Sequence, residues 1–311
     1  MPLVLFTWSE QITVCTIALV MLGLLLHPGR ETAQLGPVQA RVRRLASVVA
    51  FAGVPAYWLS RRYSTFESPN VWQYAIPILI ASIAVALYAV VGSPRLNPRP
   101  LLAVDLTPRT LWSFGPGWWF AGWAALTGLL VTTVVLAGLS SSTDDSGRHS
   151  VIAMQMGSGQ ASTLFFGWFF GLPVLAALIL LTASALIALW RIARPAVPSD
   201  PSLRDHDRAV RRIQTRTVLS LASGAVAFTL GATWTFIARA SAMAASISGP
   251  DGIQIHLGTS FAALGTPLTV LGLLLMGCGV ALLLLPLLQR RRQPSSAVSA
   301  PEHAESVAAT Q

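Results

Sequence analysis

The chain contains no lysine: all 21 of its basic residues are arginine. Protein physics does not require this; it fits a high-GC genome in which lysine codons are scarce. Charge of either sign is also scarce, at 11% of 311 residues, against about a quarter in ordinary soluble domains. A soluble chain of this length would form roughly two domains and need far more charged surface. Cysteine is nearly absent. Cys15 and Cys278 stand far apart inside apolar runs, which reads as two small buried hydrophobes rather than a disulfide or a metal site. No HExxH, GxSxG, Walker or CxxC motif occurs, so a hydrolase or nucleotide enzyme has no anchor.

What is present is hydrophobic length. Residues of the hydrophobic set make up 53% of the chain. A bilayer span needs about 20 apolar residues, and six runs qualify: 4–26, 71–92, 118–139, 164–190, 218–240 and 262–288. A seventh, 45–60, is short and flanked by arginines. The positive-inside bias decides it. With 45–60 as a span, the inner side holds Arg290, Arg291 and Arg292 and the loops 27–44, 93–117 and 191–217. Only Arg61, Arg62, Arg148 and Arg239 then remain outside. The expected fold is therefore an all-α polytopic transmembrane bundle of seven spans, N-terminus out and C-terminus in. Arg44 and Arg61 would lengthen the short span by snorkelling. The first run has no basic residue before it and no small-x-small cleavage site, so it is expected to be a retained span. Residues 293–311, polar and rich in Pro, Ala and Ser, read as a disordered cytoplasmic tail.

The stretch "LWSFGPGWWFAGW" (111–123) holds Trp112, Trp118, Trp119 and Trp123 around a Gly-Pro-Gly. Indoles favour the lipid–water boundary, so these, with Trp168 in "LFFGWFF", are expected to be interfacial anchors rather than a stacking platform. The net charge of +9 does not argue for nucleic acid, because the arginines sit between hydrophobic runs and not on a folded basic face with stacking aromatics. Anionic phospholipid headgroups suit them better.

Spans one to three and five to seven resemble each other. The first of each triplet exits into an Arg-rich inner loop. Gly53 and Gly231 each precede an arginine, Arg61 and Arg239, by the same interval. Pro77 and Pro267 stand near the starts of the third members. This is the pattern of a 3+1+3 parallel repeat, a plan that transporters use. Pro55, Pro77, Pro173 and Pro267 are each expected to interrupt a helix. In span six, Ser223, Ala227, Gly231 and Thr235 recur every four residues, which favours close helix packing.

Ionisable residues inside a membrane are functional candidates, and they are few. Glu10 lies nearest the interior. Arg61 and Arg239 stand on the outer side, where the insertion bias does not favour arginine. A buried guanidinium needs a carboxylate, and Glu10 and Glu67 are the nearby outer acids, so an outer polar cluster of Glu10, Arg61, Arg239 and Glu67 is expected. In the inner loop, Asp200-Pro201 signals a helix start, and Arg204, Arg208, Arg211 and Arg212 are expected on one face toward lipid headgroups or an acidic cytoplasmic partner. Asp144, Asp145 and His149 in the 140–163 loop are expected to be solvated. No catalytic, cofactor or metal residue is assigned.

The segments "FFGWFFGLPVLAALILL", "ALWRIARP", "LRDHDRAVRRIQTRTVLSLASG" and "DLTPRTLWSFGPGWW" resemble a group of actinobacterial polytopic integral membrane proteins over about residues 100–240. The resemblance implies a helical membrane fold and carries over no functional residue. The expected function is a non-enzymatic component of a bacterial plasma membrane that scaffolds or regulates a partner complex. The alternative is a transporter or permease subunit for a small neutral or apolar solute.

Overall fold

The computed structural model describes residues 2–26, 35–65, 68–91, 114–156, 159–195, 201–242, 244–248, 254–259 and 261–288. Most of these lie in seven α-helices: α1 (Pro2–Leu26), α2 (Pro37–Arg62), α3 (Ile76–Val91), α4 (Gly117–Leu139), α5 (Trp168–Ala193), α6 (Pro201–Ser241) and α7 (Gly265–Leu288). Four of them, α4 to α7, are long and apolar enough to cross a membrane. The described parts of α1 and α3 form shorter apolar helices, Ser9–Gly23 and Ile76–Val91. The arginines at both ends of α2 keep it out of either group.

Helix boundaries depart from the hydrophobic runs where polar residues are themselves good helix formers. Run 45–60 is only the middle of α2, which starts at Pro37 behind an extended Gly36. Proline at the first helical position loses an N–H that would be unpaired there anyway. Arg41, Arg43 and Arg44 are therefore helical rather than part of a loop, and Arg43 is buried. Run 218–240 is the second half of α6, whose 41 residues continue unbroken from Pro201. Nothing between 202 and 223 is glycine or proline, so the basic segment and the apolar run fuse into one rod. Of the four prolines expected to interrupt helices, Pro55 and Pro173 do lie inside helices. Pro77 and Pro267 instead fall in first turns, where they cost little.

The 140–163 segment is not the irregular loop expected, although Asp145 and His149 within it are exposed as expected. It forms an antiparallel sheet of β1 (Ser142–Thr143), β2 (His149–Met156) and β3 (Gly159–Leu164), with Val151 opposite Leu164 and Met156 opposite Gly159. A second hairpin, β4 (Ala244–Ser248) with β5 (Gln254–Gly258), joins α6 to α7. β-Branched Val151 and Ile152 in β2, and Ile247 and Ile255 in the second pair, are local features that favour strands here.

α6 is the central helix: 83% of its apolar stretch is buried, against 28% in α4. Its most extensive partner is α7. Gly224 and Gly231 on α6 face Gly279 and Gly272 on α7. A methyl carbon added at Gly231 would lie 2.4 Å from the Gly272 carbonyl oxygen, and one at Gly279 would lie 2.6 Å from that of Gly224. Two backbones approach this closely only when neither carries a side chain at the contact. Ser220 donates to the Leu282 carbonyl at 2.5 Å, and Ser47 of α2 donates to that of Leu283. Around this pair, α2 packs on α3 and α7, α1 on α7, α5 on α3, and α4 on α5 and α6.

Candidate functional site

Three helices bring charge together at one end of the bundle. Glu10 of α1 is 7% exposed. Arg61, next to last in α2, donates from Nη1 to Glu10 Oε1 at 3.3 Å. Arg239, near the end of α6, donates from Nη2 to Glu10 Oε2. Arg239 keeps 46% of its side chain exposed, while the Arg61 guanidinium also sits 5.5 Å from the Trp58 ring centre. Glu67, the fourth expected member, lies outside the described residues. One carboxylate facing two guanidinium groups leaves an excess positive charge, and both carboxylate oxygens are occupied. Glu10 is thus placed to tie α1 to the ends of α2 and α6, not to act as an uncommitted base.

Beneath the triad lies an aromatic layer. Tyr57 and Tyr74 are buried with ring centres 5.8 Å apart. Tyr57 meets Phe228 edge-on at 5.4 Å, and Tyr74 meets Phe166 at 5.2 Å and Phe170 at 5.6 Å. Edge-to-face pairs of this kind add about 0.5–1.5 kcal/mol each beyond their burial. Composition gave no sign of the layer, because its rings come from α2, the turn before α3, the segment leading into α5, α5 itself and α6.

At the opposite end the expected basic face divides. Arg204, Arg208 and Arg212 are exposed. Arg211 turns inward and is 2% exposed. Its Nε donates to Asp207 at 2.8 Å and its Nη1 to the Ile192 carbonyl at 3.0 Å, with the Ala193 carbonyl at 3.4 Å. Its guanidinium lies 5.2 Å from the Phe114 ring centre. The last carbonyls of α5 have no helical partner of their own, and Arg211 supplies one. It fastens α5 and the approach to α4 onto α6, so it is not displayed toward lipid or a partner with its three neighbours. Sequence reasoning placed Arg211 by helical angle and had no view of α5.

The tryptophans divide in a similar way. Trp118 is exposed, whereas Trp119 and Trp123 are buried in the bundle. Trp168 is part-buried against Gly138, and Trp112 lies outside the described residues. In the sheet, Asp144 accepts from the Ser146 and Arg148 amides, the Arg148 Nε at 2.7 Å and the Ser150 hydroxyl. Loss of water around the carboxyl raises its pKa, but the Arg148 backbone and side-chain donors, with Ser150 and Ser146, outweigh this and bring it down to about 2. Gly147, at φ 73°, closes the turn in a backbone region that side chains disfavour. Among the described residues no group of three His, Cys, Asp or Glu side chains could hold a metal ion. Cys15 and Cys278 are both free thiols.

Set against known protein families, characterised proteins and solved structures, the chain matches none of them.

Proposed function

We propose that the chain is a multi-pass protein of a bacterial plasma membrane that acts as a non-enzymatic component, scaffolding or regulating a partner complex. Seven spans, an outer N-terminus and a cytoplasmic C-terminus complete the reading. The observation that supports it best is α6. At about 1.5 Å per residue it is ~61 Å long, roughly twice a ~30 Å hydrocarbon core. From Val210 onward the bundle encloses most of it, and its first turns present exposed Arg204 and Arg208, with exposed Arg212 beside buried Arg211. A continuous helix of this kind would couple the centre of the bundle rigidly to an anion-seeking basic end.

Reporter fusions after residues 70, 100, 150, 205, 250 and 311 test the threading. Cytoplasmic signals are expected at 100, 205 and 311. One at 150 or 250 overturns the orientation, and one at 70 removes α2 from the spans. Photo-crosslinkers placed at 204, 208 and 212 in living cells test the role. A discrete heteromeric adduct is expected, lost when the three arginines become glutamate while membrane level is unchanged. An adduct indifferent to that reversal, or none, overturns the scaffold reading.

A transporter or permease subunit for a small neutral or apolar solute is the second reading, and the packing favours it in one respect. Exchanging α1 with α5, α2 with α6 and α3 with α7 preserves the main contacts. α1 packs on α7 as α5 packs on α3, and α2 packs on α7 as α6 packs on α3. A 3+1+3 parallel repeat with α4 as linker accounts for this, and repeat interfaces are where transporters bind substrate. Solute flux into proteoliposomes that responds to Glu10→Gln, with crosslinking from α6 unaffected, would favour this reading over the scaffold.

A further inference from the structure

The end of α5 carries a feature that neither functional reading uses. Ile187, Trp190, Arg191, Arg194 and Pro195 line a groove of about 470 Å³. Residues three and four apart share a helix face, so Ile187, Trp190, Arg191 and Arg194 form one continuous strip. It extends a band of exposed apolar residues, Ile179, Leu186 and Ile187, along the same helix. The strip therefore passes from aliphatic to indole to guanidinium in a few residues.

Among the described residues no carboxylate pairs with Arg191 or Arg194. Capping the helix does not require them, because Arg211 already donates to the Ile192 and Ala193 carbonyls. The Arg194 guanidinium lies 4.8 Å from the Trp190 ring centre, a cation–π contact that holds it over the groove. Guanidinium groups bind phosphate through paired N–H donors. Indole prefers the depth of lipid headgroups.

We propose that this groove binds an anionic phospholipid, with its phosphate held by Arg191 and Arg194, its glycerol region against Trp190, and an acyl chain laid along Ile187 and Ile179. The site rests on the membrane reading of the chain. A soluble phosphate ester would use the same two arginines but would leave the aliphatic strip uncovered, so a lipid is the occupant.

Protein extracted in uncharged detergent is assayed for retained lipid by mass spectrometry and for thermal midpoint with added phosphatidylglycerol or phosphatidylcholine. The wild type should retain phosphatidylglycerol preferentially and be stabilised by it. Arg191→Gln with Arg194→Gln should lower that preference roughly tenfold, the loss of one or two charge-assisted hydrogen bonds. Unchanged preference in this double variant overturns the site, as does an equal loss in Arg204→Gln with Arg208→Gln. Stabilisation by soluble glycerol phosphate as strong as by the lipid overturns a lipid as the occupant. A chain that never enters the membrane fraction overturns the membrane reading itself, an outcome distinct from the others.

Discussion

α4 and α6 are both long apolar helices, and they occupy opposite environments. α4 exposes Leu129, Val131, Leu136 and Leu139 on the outside of the bundle. α6 is enclosed, and what it buries includes Ser220, Ser223, Gly224, Thr229, Gly231, Thr233 and Thr235. α6 also fully buries Leu219, Leu221, Phe228 and Leu230, and α4 buries Leu130 and Val134 on its inner face. What sets α6 apart is that small and hydroxyl-bearing residues are enclosed beside the large ones. They allow close helix approach and hydrogen bonds across it.

The hardest test of that contrast is one leucine placed on each helix. Gly231→Leu drives a side chain into the α7 backbone. It should cost at least the 1–3 kcal/mol typical of overpacking and remove the monodisperse peak in detergent gel filtration. Gly128→Leu on α4 meets nothing within 4 Å and should stay within about 0.5 kcal/mol of wild type. Equal damage at Gly128 would mean that this face of α4 is covered.

Within α6 the comparison sharpens between two arginines. Arg211→Gln breaks a buried pair and uncaps α5, with an expected loss of about 3 kcal/mol, read as a lowered thermal midpoint. Arg208→Gln, on the exposed side, should change stability by less than about 0.5 kcal/mol. A smaller loss is expected at the other end. Glu10→Gln leaves two guanidinium groups facing each other, but Arg239 is well exposed and solvent screens it, so about 1–2 kcal/mol is expected. Arg239→Gln should cost no more than about 1 kcal/mol. If Arg239→Gln proved as harmful as Glu10→Gln, the triad would be more deeply enclosed than its exposure indicates.

The smallest effect concerns the sheet that follows α4. Asp144 is held at about 2 when folded, below the roughly 3.9 of an unperturbed aspartate. A depressed pKa contributes stability above the unfolded value and loses it as pH falls through the folded one. Amide protection of Ser146 and Arg148, corrected for intrinsic exchange, should hold down to about pH 4 and decline toward pH 2. Asp144→Asn should abolish that dependence. Protection that declines identically in the variant would assign it to another group.

The sequence by itself determined where the helices are. Each hydrophobic run meets one of the seven helices, because a helix satisfies the backbone hydrogen bonds of an apolar segment within the segment itself. The run lengths and the arginines between them are local features and need no partner to be read. β-Branched residues were also available for the two sheets; composition alone made 140–163 look like a loop. The candidates for contact with Glu10 could be narrowed by counting, since few arginines fall outside the inner group.

Only the tertiary structure decided which helix stands at the centre, which arginine turns inward and which tryptophans are covered. Arg239 and Glu10 are 229 residues apart. Arg211 meets carbonyls on α5 that a helical projection of α6 cannot include. Trp118 and Trp119 are neighbours with opposite fates, because one faces outward from α4 and the other faces the bundle. Periodicity assigns residues to faces of their own helix. Which face meets protein depends on small residues matching across two helices, as Gly231 and Gly272 do, and such a match is a property of the pair and of neither helix alone.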